Sequence, residues 1–246
     1  MKAFLLAAGL GTRLWPITEE IPKCLIPING KPLLQIWFEL CEIHGITDVL
    51  INTHYLANQV TDFIKQKRDA TSHLSIKLTY EPDLLGSAGT IFKNRNFVEN
   101  EKEFFVLYAD NLTNIDLGKL IKFHKSHGDL FTMGLFKTDR PTTCGIAELD
   151  GNGGVISFEE KPKVPRANLA AAGIYVASPE IFKFFPHYEG KDVDDPLDLG
   201  FHVLPKLIGH MYGYLIDGYL LDIGDMASYQ RAQREWPTIS SSFLGH

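Results

Sequence analysis

The chain has 246 residues, enough for one large domain or two small ones, and its 45% hydrophobic content supports a packed core and disfavours disorder. With 24 Lys and Arg against 30 Asp and Glu, the formal net charge is −6. The basic residues are scattered, which argues against a nucleic-acid partner, and no apolar run reaches the about 18 residues of a membrane span.

An anionic ligand would therefore need a local cluster of positive charge. The cysteines, Cys24, Cys41 and Cys144, are odd in number and widely spaced, with no CxxC, so neither a disulfide framework nor a structural zinc site is expected. Met1 to Ala8 reads as a buried first strand rather than a leader, because the apolar run is short and Arg13 follows it. A soluble cytoplasmic protein is expected.

Lys2 to Ala8 is a strand that ends at glycine. Pro32 to Ile43 has helical spacing, with Leu33, Ile36, Trp37, Leu40 and Ile43 on one side and Gly45 as its stop. A strand over 48–52, a helix over 58–67, a strand over 74–81, a helix over 89–97 and a strand over 104–109 follow. Then come a helix over 117–127 and a strand over 130–136. This alternation predicts an α/β domain with a mostly parallel sheet.

Past residue 136 the pattern changes. Strands are expected over 145–149, 155–160 and 172–177, the first two joined by the turn Asp150-Gly151-Asn152-Gly153-Gly154. Ser178 caps a helix that starts at Pro179, and a short helix over 199–204 stops before Pro205. Residues 211–216 and 219–222 read as a hairpin turning at Asp217-Gly218. A last helix over 225–234 ends before Pro237, and the tail from Ser240 is frayed. Residues 1–236 thus read as a single domain: an α/β part to about 136, a smaller α+β part from 137 to 225, and a closing helix.

The sharpest chemical signal is Leu6-Ala7-Ala8-Gly9-Leu10-Gly11-Thr12-Arg13, with Pro16, Thr18 and Pro22-Lys23 after it. Two glycines after a strand let backbone N–H groups approach a phosphate. Arg13 adds a fixed positive fork and Lys23 a mobile point charge. A dinucleotide fingerprint fails because Leu14 stands at the third glycine, and no Walker loop is present. Asp110, after an apolar strand, reads as a metal carboxylate or a turn aspartate. Asp222, inside Leu-Leu-Asp-Ile-Gly, reads as its metal partner or as half of a buried salt bridge. In Glu160-Lys161-Pro162, Lys161 either neutralises an anionic ligand or ends an exposed hairpin. Gly86 and Gly89 either admit a flat base or begin a helix.

These motifs together resemble the sugar-1-phosphate nucleotidylyltransferases. The resemblance covers Gly9 to Lys23, Pro27 to Pro32, Glu81-Pro82, Leu85 to Thr90, Ala109-Asp110-Asn111, Glu159 to Pro162 and Gly218 to Gly224, in order. It implies a Rossmann-like three-layer αβα domain with a mixed sheet and a small sugar-binding elaboration. It implies nucleotide binding by Leu6, Ala8, Gly9, Gly11, Thr12, Arg13, Lys23, Glu81, Gly86, Ser87 and Gly89. Sugar-phosphate binding falls to Asn111, Gly145, Glu160, Lys161, Ala171 and Tyr175, and Mg²⁺ to Asp110 and Asp222. Arg13, Lys23, Asp110 and Asp222 would carry catalysis.

The partners implied are an NTP and a sugar 1-phosphate, with a homo-oligomer left open. The Gly86-Ser87-Ala88-Gly89 segment is most similar to guanylyltransferases acting on mannose or heptose 1-phosphate. A uridylyl- or thymidylyltransferase acting on a glucose or amino-sugar 1-phosphate is the alternative within the family. The sequence departs from the family pattern at Ala8, Cys24 and Leu220, and no appended β-helix of the kind longer relatives carry is expected. Two further readings stay open: a regulatory subunit that binds a nucleotide sugar without catalysis, and a glycosyltransferase using Asp192-Val193-Asp194. That D-x-D string has no apolar strand before it and reads better as a solvated loop. His124 and His127, three apart, read as a solvated helix face rather than metal ligands.

Overall fold

The computed structural model describes residues 1–68, 73–186 and 196–243. In its first half, β1 (Lys2–Leu6) leads through α1 (Ile17–Glu20), β2 (Pro27–Ile28), β3 (Lys31–Pro32) and α2 (Leu33–Ile43) to β4 (Asp48–Thr53). Then come α3 (Ala57–Arg68), β5 (Ser75–Tyr80), α4 (Gly86–Lys93), β6 (Phe104–Tyr108), β7 (Asn111–Thr113), α5 (Leu117–His127) and β8 (Phe131–Lys137). The second half adds β9 (Gly145–Leu149), β10 (Val155–Glu160), β11 (Leu169–Ala177), α6 (Leu199–His202), β12 (Met211–Leu215), β13 (Leu220–Asp222) and α7 (Met226–Phe243).

Nine strands form one mixed sheet. Its main path runs β10-β9-β11-β6-β1-β4-β5, and β8 pairs with both β11 and β12. The strands β6, β1, β4 and β5 are parallel. Side chains of β1 alternate between two cores: Ala3 and Leu5 join the one covered by α2, α3, α5 and α7, while Phe4 joins the one covered by α4 and the segments 181–185 and 197–207. Both faces are buried, which is why the strands read as unbroken apolar runs. The three-layer α/β expectation holds.

Strand β11 joins the two halves. Its first residues pair with β9 and its last with β6, while β8 flanks it throughout. The register shift lies between Ala171 and Tyr175, where Gly173 takes φ +66°. A Cβ at Gly173 would stand 2.9 Å from the Tyr108 ring, so glycine is required there on two counts.

Several expectations are corrected. The 211–216 and 219–222 strands do not form a hairpin: β12 lies parallel to β8, and β13 lies antiparallel to β7 in a separate two-stranded sheet. The Asp217-Gly218 turn signal fixed a change of direction, and the free edges of β8 and β7 decided the pairing. The 179–184 segment is a 3₁₀ helix and Ser178 makes no side-chain cap. Helix α4 starts at Gly86 rather than 89 and ends at Lys93. Helix α6 stops at His202, and Pro205 sits in a separate 3₁₀ turn over Leu204–Leu207. Helix α7 runs through Pro237 and on to Phe243, because proline removes one ladder bond without forbidding continuation. Ile43, expected on the apolar side of α2, is exposed.

The His124 and His127 face of α5 is also not solvated. His124 is buried, and the Thr132 hydroxyl on β8 lies 2.8 Å from both His124 Nδ1 and His127 Nε2. His127 stacks on Tyr212 at 4.3 Å. Burial, helped by the neighbouring His127 and Lys125 charges, holds the His124 pKa down at about 4, against an ordinary 6.5. An unfolded chain takes up this proton below about pH 6.5 and the folded chain does not. The stability contribution is therefore complete above about 6.5 and drains as pH falls towards 4. The stability advantage of wild type over His124→Gln should shrink by about 2–3 kcal/mol between pH 7.5 and 4.5. Urea unfolding of both proteins at several pH values checks this; a constant gap would refute it.

Candidate functional site

The parallel strands change direction of progression at β1: the chain builds outward to β4 and β5, then returns to place β6 on the other side. Such a switch point leaves a crevice at the carboxyl ends of the two central strands. Here the crevice is lined by Leu6, Ala7, Gly9, Lys23, Cys24, Ala109 and Asp110.

The loop after β1 is held at both ends. The Ala7 N–H donates to Asn52 Oδ1 at 2.8 Å, and the Thr18 hydroxyl donates to the Gly11 carbonyl at 2.7 Å. Gly11 has φ +67°, and a Cβ on it would press on Thr18 and Lys23 at 3.1 and 3.2 Å. Ala8 is buried, whereas Gly9 is exposed and a Cβ there would meet nothing within 4 Å. The backbone at Gly9 is thus accessible to a ligand. Thr12 and Arg13 follow, both exposed.

Four charged groups from distant parts of the chain meet beside this loop. Lys23 is buried, and its Nζ lies 2.7 Å from Asp110 Oδ2 and 3.9 Å from Asp222 Oδ1. Asp110 follows β6 directly. Asp222 is brought alongside by the β7–β13 pair, in which it stands opposite Asn111, and the Ile223 N–H donates to the Asp110 carbonyl. A Cβ on Gly224 would meet Asp222 Oδ2 at 2.9 Å and Arg13 Nη2 at 3.3 Å, so these two groups flank the same glycine. The Asp222 carboxyl is pushed up to about 6, first by loss of water around it and then by the Asp110 carboxylate, with Lys23 and Arg13 pulling the other way. Its side chain keeps 60% exposure, so the shift belongs to a solvent-facing group whose like-charged neighbour is not fully neutralised. Helix α7 secures the Lys23 loop from behind: Tyr229 and Gln233 both donate to the Pro27 carbonyl.

The base-facing segment differs from expectation. Glu81 is only 1% exposed and its carboxylate points inward. It accepts from Asn52 Nδ2, the Thr90 hydroxyl and the Leu85 N–H. Glu81 therefore supports the loop from beneath rather than facing a nucleotide. Asn52, which the sequence reading missed, links this network to the β1 loop; its only signal was an amide closing an apolar strand. Gly86, at φ +76°, lies against Leu197: a Cβ there would stand 2.5 Å from the Leu197 carbonyl oxygen, so glycine is required at 86 by this packing. Gly89 packs beneath Leu85 and Leu197.

Among the residues expected to bind the sugar phosphate, Glu160 ends β10, and a Cβ on Gly145 would lie 2.5 Å from its Oε2. Burial, then the Asp198 carboxylate, raises the Glu160 pKa, and Lys161 opposes this. Lys161 itself has φ +50°, uncommon for a residue with a Cβ, and its Nζ lies 5.8 Å from the Phe201 ring centre. Tyr175 is buried and meets Tyr108 edge to face. Ala171 lies just before the β11 register shift. The Asn111 Nδ2 donates to the Ala172 carbonyl, bracing that shift. Asp198 and Phe201 were not anticipated. Asp192-Val193-Asp194 lies outside the described residues. Among the described residues no three His, Cys, Asp or Glu side chains gather as a metal site, and no helix is long and apolar enough to cross a membrane.

Removing the Glu81 carboxylate would orphan buried donors from Asn52, Thr90 and Leu85. Glu81→Ala should cost about 2–4 kcal/mol, read from the urea midpoint, and an unchanged midpoint would refute the inward assignment.

Comparison with known proteins agrees with this geometry. The profile of the nucleotidyl transferase family matches residues 2–238. A UTP–glucose-1-phosphate uridylyltransferase from Synechocystis is 32% identical over 95% of this chain and 63% of its own. Mannose-1-phosphate guanylyltransferase 1 from Arabidopsis thaliana is 31% identical over 93% of this chain and 63% of its own. The chain thus spans under two thirds of these relatives' length. The crystal structure of HddC from Yersinia pseudotuberculosis complexed with GMP-PN superposes with a TM-score of 0.77 at 26% identity, covering 96% of this chain and 99% of that one. The chain belongs to the nucleotidyl transferase family.

Proposed function

We propose that this protein transfers a nucleotidyl group from an NTP to a sugar 1-phosphate, giving an NDP-sugar and pyrophosphate. The observation that carries this reading is Lys23 set between Asp110 and Asp222, beside an open glycine loop at the sheet's switch point. A regulatory, non-catalytic role would not call for all four charged groups to converge.

Two carboxylates gathered on one lysine, one of them raised in pKa by loss of water and then by the other, suit a divalent cation that takes one or two carboxylates and completes its shell with phosphate oxygens and water. Mg²⁺ bound to Asp110 and Asp222 would supply Lewis-acid withdrawal of charge from the α-phosphate. The chain's own groups do the rest. Backbone N–H groups from Gly9 to Thr12, with Arg13, hold the departing pyrophosphate. Lys23 leaves Asp110 for the α-phosphate. Lys161 neutralises the sugar phosphate and Glu160 accepts sugar hydroxyls. The attacking phosphate oxygen is already ionised, so no general base is required, and the main barrier is bringing two polyanions into line.

The choice of GTP with a manno-configured sugar rests on the Gly86-Ser87-Ala88-Gly89 resemblance and the guanylyl names among relatives. The uridylyl name of another relative keeps UTP with glucose 1-phosphate as the second reading.

Pyrophosphate release should be confined to one pair when five NTPs are crossed with mannose, glucose, N-acetylglucosamine and manno-heptose 1-phosphates. With that pair, Lys23→Ala, Asp110→Ala and Asp222→Ala should each lower turnover about 10²–10⁴-fold in folded protein. Normal turnover by Asp110→Ala would end the carboxylate assignment, and silence across the panel would end the reaction.

A further inference from the structure

The segment Leu197–Phe201, which the sequence marks only as the start of a short helix, touches both halves of the site. On the nucleotide side, the Leu197 carbonyl accepts from the Ala88 and Gly89 N–H groups at 2.8 and 3.0 Å, and the Leu197 N–H donates to the Leu85 carbonyl at 2.8 Å. Asp198 Oδ2 accepts from the Ser87 hydroxyl at 2.9 Å, and Ser87 Oγ accepts from the Leu199 N–H at 2.8 Å. On the sugar side, Asp198 Oδ1 caps α6 through the Gly200 and Phe201 N–H groups. A Cβ on Gly200 would collide with Glu160 Oε2, so the Glu160 carboxylate lodges between Gly145 and Gly200. The Phe201 ring lies beneath Lys161.

We propose that Asp198 is a positioning residue that ties the Gly86-Ser87 turn to the Glu160-Lys161 pair, holding the two substrate half-sites in one register. This rests on the reaction proposed above. A cap for α6 alone does not explain the residue, because asparagine caps as well and carries no charge. Asp198 instead sets a second carboxylate next to Glu160, which adds to burial in disfavouring the Glu160 charge. Among the described residues no cation lies within ion-pair distance of it to offset that cost. What the carboxylate adds is a second acceptor: Oδ1 faces α6 while Oδ2 takes the Ser87 proton. Gly86 belongs to the same construction, since only glycine lets Leu197 approach so closely at that φ.

Amide exchange at Ala88 and Gly89, together with steady-state kinetics for both substrates, tests the tie. In Asp198→Ala, exchange at these two amides should quicken about tenfold, and KM for the NTP and for the sugar 1-phosphate should both rise about five- to tenfold. Val60→Ala, on α3, serves as a control for general destabilisation and should leave both KM values unchanged. Asp198→Asn keeps the cap, so the unfolding midpoint should recover while both KM values stay raised.

Unchanged exchange in Asp198→Ala overturns the tie whatever the activity. Faster exchange with unchanged KM values overturns it too, leaving only a structural cap, as does full recovery of KM in Asp198→Asn. Wild-type silence with every substrate pair overturns the reaction instead, and exchange separates the two failures because it needs no substrate.

Discussion

The contact on which the rest of the site depends is the 2.7 Å pair between Lys23 Nζ and Asp110 Oδ2, with Asp222 Oδ1 at 3.9 Å. A buried lysine must be paired, and two neighbouring carboxylates must be screened from each other. One cation stands between two carboxylates, and the Asp222 pKa stays raised, first by loss of water and then by the Asp110 charge. On the proposed function, the cluster accepts more positive charge at the carboxylates and gives up its lysine to an anion. Those are the two demands of phosphate chemistry assisted by a divalent ion.

Much of the fold serves to hold these three side chains, which lie far apart in sequence. The parallel strands bring the β1 loop and Asp110 to one edge. A separate two-stranded sheet carries Asp222 to the same place. Helix α7 pins the loop behind Lys23 through the Pro27 carbonyl. Beneath the nucleotide side, Asn52 and Glu81 form a buried polar network with no salt bridge among its described contacts, satisfied by neutral donors. Such networks are rigid when complete, and this one sets the β1 loop and the start of α4 relative to each other.

What could be read from the sequence follows from the range of each interaction. The strands of the first half, the glycine loop and the aspartates after apolar runs are local patterns, and all sit where the alternation put them. Burial of His124 was not local: it depends on β8 and β12 covering the polar side of α5. Neither was the separation of β12 from β13, since a turn signal says nothing about which edges are free. The long-range packing partners of Gly86 and Glu81 could not be read for the same reason. The partner that requires glycine at 86 lies at Leu197, and the Ser87–Asp198 contact spans 111 residues. Asn52 had a signal too weak to single out.

The most direct test of the charge cluster is Mn²⁺ binding, followed by electron paramagnetic resonance, with and without GTP, in wild type, Lys23→Ala and Asp222→Asn. Lys23 competes with a cation for Asp110 until a phosphate draws it away. Wild type should therefore bind Mn²⁺ weakly alone and more tightly with nucleotide. Lys23→Ala should bind the free ion more tightly and lose much of the nucleotide-dependent gain, while Asp222→Asn should weaken both. Identical Mn²⁺ affinities in all three proteins, unaffected by nucleotide, would contradict the assignment of this cluster to metal-assisted phosphate chemistry.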